Sequence, residues 1–433
     1  MGRCMRIAID TLGCKANRYD SVVIEEALKR GTHEVVSFDQ PADVYIVNSC
    51  TVTKSADAQT RQLVRRFQRM NPDSIVVVTG CSAQMNPDMY AAMPGVHYVV
   101  GSDQKGTIAS LIGQAKPTST SINVVRRKDS GFATLPIKRY ADWSRAFIKI
   151  QEGCDNFCTF CIIPYSRGRS RSQRPSDVIE QIKVLVDEGY KEVVLTGIDL
   201  MSYGGCVDEE VSLDKLVERV LSETAIPRLR VSSIEPNPLT NRLIQLAKDN
   251  PNLCPHFHLS IQSCDGAVLE KMRRRYRLKE ILETFKTIEK NLPGAFVGID
   301  LIAGFPGETD EAHKTTLKVL KENPWSELHV FPFSEREGTA ATHFNETVTH
   351  TVRQARAEEL RKLSDERFKA YQSSFVGKIL QVLPEKYHET DGEFRKAISR
   401  NYLSILVPKQ SLSDQREESV MVTHEKDGFL RVF

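Results

Sequence analysis

The sequence predicts an α/β protein in three parts: an N-terminal parallel α/β domain, a central open barrel of six βα units, and a small C-terminal antiparallel β-barrel. Three observations predict it. Short β-branched runs alternate with helical stretches up to about residue 115, the alternation resumes with a longer unit from 144, and beyond about 370 only short strand-like runs broken by Gly, Pro and Asp remain. A chain of 433 residues exceeds one compact core. The expected boundaries are 1–115, a linker over 116–143, then 144–370 and 371–433.

In the first part, "RIAID", "DVYIVNSC", "SIVVVTGC" and "VHYVVG" are the strand runs, separated by helices such as "TLGCKANRYDSVVIEEALKRG" and one rich in Arg. Three strands lead into a cysteine: Cys14, Cys50 and Cys81. Ligands of an open parallel sheet gather beyond the carboxyl ends of its strands, so three thiols placed there can converge. The stretch "KPTSTSINVVRRKDSGFATLPIKRY" breaks the pattern and reads as a linker or an edge excursion.

From 144 the strand runs are "RAFIKIQEG", "EVVLTGI", "LRVSSIEP", "HFHLSIQS", "FVGIDLIAG" and "ELHVFPFS", with room for a helix after each. Thr196, Gly197, Ser232, Ser233, Glu235, Gln262, Ser263 and Gly304 then share one rim. Each is explained singly as a strand terminator, but their recurrence on nearly every strand favours a site. The charged helical run "HTVRQARAEELRKLSDERFKAYQSSF" precedes "KILQVLPEKY", "FRKAISRNYLSILVP", "ESVMVTHEKD" and "FLRVF", short strands that suit a small antiparallel barrel.

With 40% hydrophobic and 27% charged residues, no long apolar run and no signal-like amino terminus, the chain reads as cytosolic, with no membrane partner. Ten cysteines in a long chain of that kind point to metal binding or catalysis rather than disulfides. A net charge of +3 is too small to identify a partner.

The stretch "GCDNFCTFCIIPYSRGRSRSQR" places Cys154, Cys158 and Cys161 at C-x3-C-x2-C spacing and then turns basic. Structural zinc sites are normally closed by four ligands, whereas a [4Fe-4S] cluster held by three thiolates leaves one iron open to a small molecule. Cys14, Cys50 and Cys81 repeat that count on another scaffold. A zinc site completed by histidine or water, or buried unreactive cysteines, are the alternatives for both sets. Cys4, Cys206, Cys254 and Cys264 lack such equivalence, and structural roles are expected of them.

After the strand "FIKIQE", "GCDNFCTFC" resembles the signature of radical S-adenosylmethionine (radical SAM) proteins. With "TLGCKAN", "NSCTVT" and "TGCSAQ" it is similar to the methylthiotransferases. "TLGCKANRYDS", "LTGIDLMSYG", "SSIEP", "DLIAGFPGET" and "HVFPFSEREGT" look most like the branch acting on tRNA N6-threonylcarbamoyladenosine.

The resemblance implies a radical SAM partial barrel, a TRAM-like terminal domain and insertion of sulfur and a methyl group at C2 of that nucleoside beside the anticodon. Two [4Fe-4S] clusters are implied, one on Cys154, Cys158 and Cys161 and an auxiliary one on Cys14, Cys50 and Cys81. S-adenosylmethionine would be both radical source and methyl donor, with the protein supplying position and exclusion of water. A small electron-transfer protein of flavodoxin or ferredoxin type and a sulfur donor are implied partners. Phe160, Thr196, Gly197, Ser233, Glu235 and Gln262 would contact S-adenosylmethionine. Cys264 stands where the family is expected to have Gly, and Asp199 where this branch usually has His.

The expected RNA module, 371–433, holds nine Lys plus Arg against nine Asp plus Glu, so the electrostatic footprint lies elsewhere. Candidates are Arg61, Arg65, Arg66 and Arg69; Arg126, Arg127 and Lys128; Arg167, Arg169, Arg171 and Arg174; and Lys271, Arg273, Arg274, Arg275 and Arg277. A merely solvated charged face is the alternative reading of any single cluster. Competing functions are a methylthiotransferase for isopentenyladenosine or a ribosomal-protein aspartate, and a zinc-stabilised RNA-binding protein without catalysis.

Overall fold

The structure is a computed structural model and describes residues 4–31, 33–114, 116–125, 132, 137, 144–205, 207, 211–390, 392–413, 416–426 and 428–432. It divides into two compact units: residues 1–137 with 152–171 and 334–342, and residues 138–151 with 172–333 and 343–433.

The first unit is built on a six-stranded, all-parallel sheet of β1 (Arg6–Thr11), β2 (Glu34–Val36), β3 (Val44–Ser49), β4 (Ile75–Gly80), β5 (Val96–Val100) and β6 (Ser121–Asn123), in the order β2-β1-β3-β4-β5-β6. Both central strands, β3 and β4, are buried along their whole length, as a parallel sheet covered on both faces requires. Alternation sorts their side chains. Tyr45, Val47, Val76 and Val78 meet Val64 and Phe67 of α2 (Lys54–Met70), with the Tyr45 and Phe67 rings stacked at 4.3 Å. Val44, Ile46 and Val77 meet Ile24 and Leu28 of α1 (Lys15–Arg30) on the other face. The edge strands β2 and β6 were not legible in the sequence; each spans three residues, too few to establish a period. The strand β6 falls inside the predicted linker.

In the second unit, parallel strands Arg145–Lys149, Glu192–Thr196 and Arg228–Val231 form one sheet, and Ser233–Ile234, His256–Gln262, Phe296–Ala303 and Glu327–Pro332 form another. The six predicted strands are all present. The third is interrupted at Ser232, whose N–H still donates to the Leu195 carbonyl at 3.0 Å, so one continuous strand run becomes the link between two sheets. At the amino-terminal end of these strands sits a buried ion network: fully buried Glu192 lies 3.0 Å from Arg230, 2.8 Å from Arg228 and 3.7 Å from Arg145.

The C-terminal strands Ile379–Thr390, Phe394–Ser399, Ser404–Pro408, Glu418–Met421, His424–Lys426 and Phe429–Arg431 form one six-stranded sheet. The expectation of a purely antiparallel fold is corrected here. Ser404–Pro408 pairs with Phe429–Arg431 in parallel, and His424–Lys426 pairs antiparallel on the far side of that last strand. Arg228 donates to the carbonyls of Ile398 and Ser399 and Arg230 to that of Arg400, tying this sheet to the ion network. Among the described residues, no helix is long and apolar enough to cross a membrane.

Candidate active site

Cys14, Cys50 and Cys81 stand at the carboxyl ends of β1, β3 and β4, three adjacent strands. The order reverses between β1 and β3, so Cys14 and Cys50 flank the crevice where an open α/β sheet takes its ligand. Cys14 is the N-cap of α1 but makes no side-chain cap, and Cys81 is the first residue of the short helix Cys81–Met85. Gly13, at φ +93°, brings the chain against Cys50: a Cβ there would lie 2.6 Å from the Cys50 sulfur. Asn17, one turn into α1, donates to the carbonyls of Leu12, Asn48 and Ser49, and Asn48 returns a bond to the Asn17 carbonyl. These amides fasten α1 to the two strand ends that carry thiols.

Burial pushes the Cys50 thiol up to about 11, and the neighbouring Cys81 and Cys14 add to that rise while Arg167 opposes it. The Cys50 thiolate is therefore disfavoured unless a positive group takes up its charge, which is what an iron–sulfur cluster does. Donor type, donor count and the Gly13 approach all fit a three-thiolate cluster. Among the described residues, no three His, Cys, Asp or Glu side chains converge as they would around one metal ion. The ligands of a cubane bind separate irons and need not converge in that way.

The second set lies on a loop of the same unit. Cys154 and Cys158 are buried and Cys161 half-buried. The Cys154 N–H donates to the Gly168 carbonyl at 3.1 Å, the Cys161 N–H to the Cys158 carbonyl at 2.9 Å, and the Asn156 N–H to the Cys154 sulfur at 3.4 Å. Phe157 holds the left-handed region at φ +46°, an unusual conformation for a bulky residue, with the Arg169 guanidinium 5.2 Å above its ring. Arg169 also pairs with Asp155 at 3.1 Å. Phe160, between the second and third thiols, is half-buried, and the adjacent Thr159 carbonyl accepts from Ala341 N–H at 2.8 Å.

Two arginines of this unit are buried beside the N-terminal thiols. Arg167, 1% exposed, donates from Nε to the Cys81 sulfur at 3.0 Å, from one terminal nitrogen to Glu152 at 2.9 Å and Asp20 at 3.2 Å, and from the other to Asn17 Oδ1 at 3.2 Å. Lys105 shares Asp20 at 2.5 Å. Arg336 pairs with Asp57 at 2.7 Å and donates to Thr51 at 2.6 Å, while Asp57 accepts from Ser82. Thr51 and Ser82 directly follow Cys50 and Cys81. Asp20, Glu152, Lys105 and Arg336 were not singled out in the sequence; the recurrence of Cys14, Asn17 and Asp20 at three-residue steps was the available sign.

In the second unit, Thr196 ends its strand fully buried, 3.3 Å from Ser232. A Cβ on Gly197 would press on Leu200 at 2.8 Å and on Gln151 at 3.0 Å, so packing alone demands glycine there. The Gln151 carboxamide oxygen accepts from the N–H groups of Ile198 and Asp199 at 2.9 and 2.7 Å. Ser233 is exposed and Glu235 half-buried. Burial pushes the Glu235 carboxyl up, Arg274 at 2.5 Å pulls it back, and Asp199 adds to the rise. Gln262 is half-buried at φ +67°, a strained geometry of the kind found at functional rims. His258, 2.8 Å from Asp300 and stacked on His329 at 5.0 Å, is a polar cluster the sequence did not announce. Cys264 is fully buried and its thiol pushed up to about 12 by burial, the mark of an inert packing residue. Cys206 lies outside the described residues.

The basic clusters divide. Arg65, Arg66 and Arg69 are exposed and Arg61 half-exposed on α2. Arg273 and Arg275 are exposed in the second unit. Two arginines leave the RNA-contact set: Arg167, buried among sulfur, carboxylates and amide, and Arg274, held by Glu235, the Ser260 carbonyl and the Tyr276 hydroxyl. Their donors are spent inside the protein, and neither side chain is open to a phosphate. Arg126, Arg127 and Lys128 lie outside the described residues.

Residues 148–320 match the radical SAM superfamily, which places the chain among radical SAM proteins, while residues 6–101 match Uncharacterized protein family UPF0004. The chain is 40% identical over 390 residues, covering 89% of itself and 86% of the relative, to the threonylcarbamoyladenosine tRNA methylthiotransferase MtaB of Bacillus subtilis (strain 168). It is 33% identical, over 88% and 86%, to the tRNA-2-methylthio-N(6)-dimethylallyladenosine synthase of Clostridium botulinum (strain Okra / Type B1). Among solved structures, the radical S-adenosylmethionine methyltransferase TsrM of Kitasatospora setae shares the fold, with a TM-score of 0.54 and 15% identity over 76% of this chain and 72% of that one. The chain belongs to the MtaB family of threonylcarbamoyladenosine tRNA methylthiotransferases.

Proposed function

We infer that this protein is a tRNA methylthiotransferase that places a methylthio group at C2 of N6-threonylcarbamoyladenosine. The observation that carries the reading is the seating of Cys14, Cys50 and Cys81 on adjacent strand ends, in the same unit as the Cys154, Cys158, Cys161 loop. One three-thiolate set supports radical chemistry in general; a second is what sulfur insertion adds to it.

Cys154, Cys158 and Cys161 would hold one [4Fe-4S] cluster and Cys14, Cys50 and Cys81 another. When bound, the first with S-adenosylmethionine supplies the one-electron chemistry that an unactivated C2–H bond needs, and the second supplies the site for the incoming sulfur. The chain's own residues do the rest. Thr196, Gly197, Ser233, Glu235 and Gln262 form the polar rim offered to S-adenosylmethionine, with Gly197 free of a side chain and Glu235 oriented by Arg274. Phe160, on the cysteine loop of the first unit, is the aromatic residue that the family resemblance assigns to S-adenosylmethionine. The family's terminal TRAM-like domain, a cytoplasmic setting, a flavodoxin- or ferredoxin-type reductant and a separate sulfur donor belong to the same reading, as do domains at 1–115, 144–370 and 371–433.

The test is anaerobic turnover with S-adenosylmethionine, dithionite and tRNA carrying threonylcarbamoyladenosine, followed by mass spectrometry of the nucleosides. A 2-methylthio derivative of that nucleoside, together with 5'-deoxyadenosine, is expected. Modification of isopentenyladenosine alone would replace the substrate assignment, and no methylthio product with either tRNA would reject the reading.

A further inference from the structure

We propose that Arg167 is a positioning residue of the N-terminal cysteine set, hydrogen-bonding the Cys81 sulfur and raising the reduction potential of the iron–sulfur group that Cys14, Cys50 and Cys81 hold. The proposal rests on the reading of those cysteines as cluster ligands. A guanidinium that is 1% exposed has given up its water and needs partners for each donor. Glu152 and Asp20 answer its charge at one terminal nitrogen, and Asn17 takes the other. The remaining edge, Nε, is aimed at sulfur, 3.0 Å from Cys81.

A lysine could neutralise Glu152 and Asp20 from the same place, as Lys105 already does for Asp20. Only the planar fork of arginine can serve carboxylates, an amide oxygen and a thiolate together. Asn17 also connects the fork to the carbonyls of Leu12, Asn48 and Ser49, so the guanidinium is fixed by the strand ends that carry Cys14 and Cys50. The local chain holds it as well. Arg167 ends the helix Ile163–Arg167, and Gly168, at φ +75°, closes that helix by donating to the Pro164 carbonyl at 3.0 Å. The segment that carries one set of thiols thereby delivers a cation to a sulfur of the other. An N–H donor and a positive charge at a ligating sulfur favour the more negative, reduced state of an iron–sulfur group, which raises its potential.

The experiment uses the full chain with Cys154, Cys158 and Cys161 replaced by Ala, so that only the N-terminal set can hold iron, reconstituted anaerobically. Iron and sulfide content of this parent tests the ligand reading itself: about four irons per chain are expected, and none would overturn that reading independently of Arg167. On the same background, Arg167→Met, Arg167→Lys and Glu152→Gln are compared by a redox titration followed by electron paramagnetic resonance. Arg167→Met is expected to keep iron and titrate at a lower potential, with Arg167→Lys between it and the parent. Glu152→Gln, which releases the guanidinium from its nearest carboxylate, moves the potential upward. Potentials equal to the parent's in the iron-loaded Arg167 variants would overturn the proposal. Should Arg167→Met fail to hold iron, an unchanged or lowered potential in Glu152→Gln overturns it instead.

Discussion

Gly13 stands where no side chain fits, since an added Cβ would come within 2.6 Å of the Cys50 sulfur and 2.7 Å of its Cβ at a φ that L residues avoid. Relief would require either β1's turn into α1 or Cys50 itself to move, and both movements separate thiols that belong together. Gly13→Ala is therefore expected to destabilise the first unit by about 1 to 3 kcal/mol and to lower iron bound by the N-terminal set. Iron assay on the chain lacking the other three cysteines, with thermal unfolding in parallel, checks it. The cysteines themselves were readable in the sequence because their spacing and strand-end positions are local properties. Arg167 was not: its residue type suggests phosphate, and only the tertiary packing of Asp20, Glu152 and Asn17 around it turns the charge inward. Arg274 misleads for the same reason, with Glu235 39 residues away in the chain.

At the level of elements, the six strand runs of the second unit and the long helix His350–Ser373 were legible, the strands from their apolar, β-branched runs and the helix from a long charged stretch free of Gly and Pro. The break at Ser232 and the three-residue edge strands were not, because they depend on neighbours rather than on period. The same holds for the Glu192–Thr196 strand's first residue, a glutamate that reads as a surface position. It is wholly buried. Burial opposes its charge, but Arg230, Arg228 and Arg145 outweigh that and hold its carboxyl well below the usual 4.5. A carboxyl whose value is depressed on folding contributes stability that is complete above its unfolded value and is lost as the pH falls beneath it. Glu192→Gln leaves three arginines short of a counter-charge and is expected to cost about 3 to 5 kcal/mol at neutral pH. The gap between the chain and this variant should narrow as the pH drops below about 4.5, measured by urea unfolding across a pH series. A constant gap would mean that the network contributes through packing alone. Because Arg228 and Arg230 also bind the carbonyls of Ile398, Ser399 and Arg400, the C-terminal sheet should lose cooperativity with the barrel in the same variant.

For the whole molecule, the net charge of +3 says little about tRNA, but the exposed arginines are concentrated. Arg65, Arg66 and Arg69 lie exposed on α2 of the first unit, whose other face packs Val64 and Phe67 on the sheet, so neutralising them leaves that core intact. Arg273 and Arg275 are exposed in the second unit, on either side of the buried, ion-paired Arg274. Each phosphate neutralised by a protein releases counterions, so every lost contact should reduce the salt slope of binding by about 0.7 to 0.9. Arg65→Gln with Arg66→Gln and Arg69→Gln, and separately Arg273→Gln with Arg275→Gln, are expected to weaken tRNA binding and flatten its dependence on salt. Arg274→Gln should instead lower thermal stability, since it leaves the half-buried Glu235 without its ion-pair partner. Affinity measured between 50 and 200 mM salt separates these outcomes. If the two exposed sets leave both affinity and slope unchanged, the RNA must rest on other surfaces, and a C-terminal sheet whose cations and anions balance would then have to bind it by shape and stacking rather than by charge.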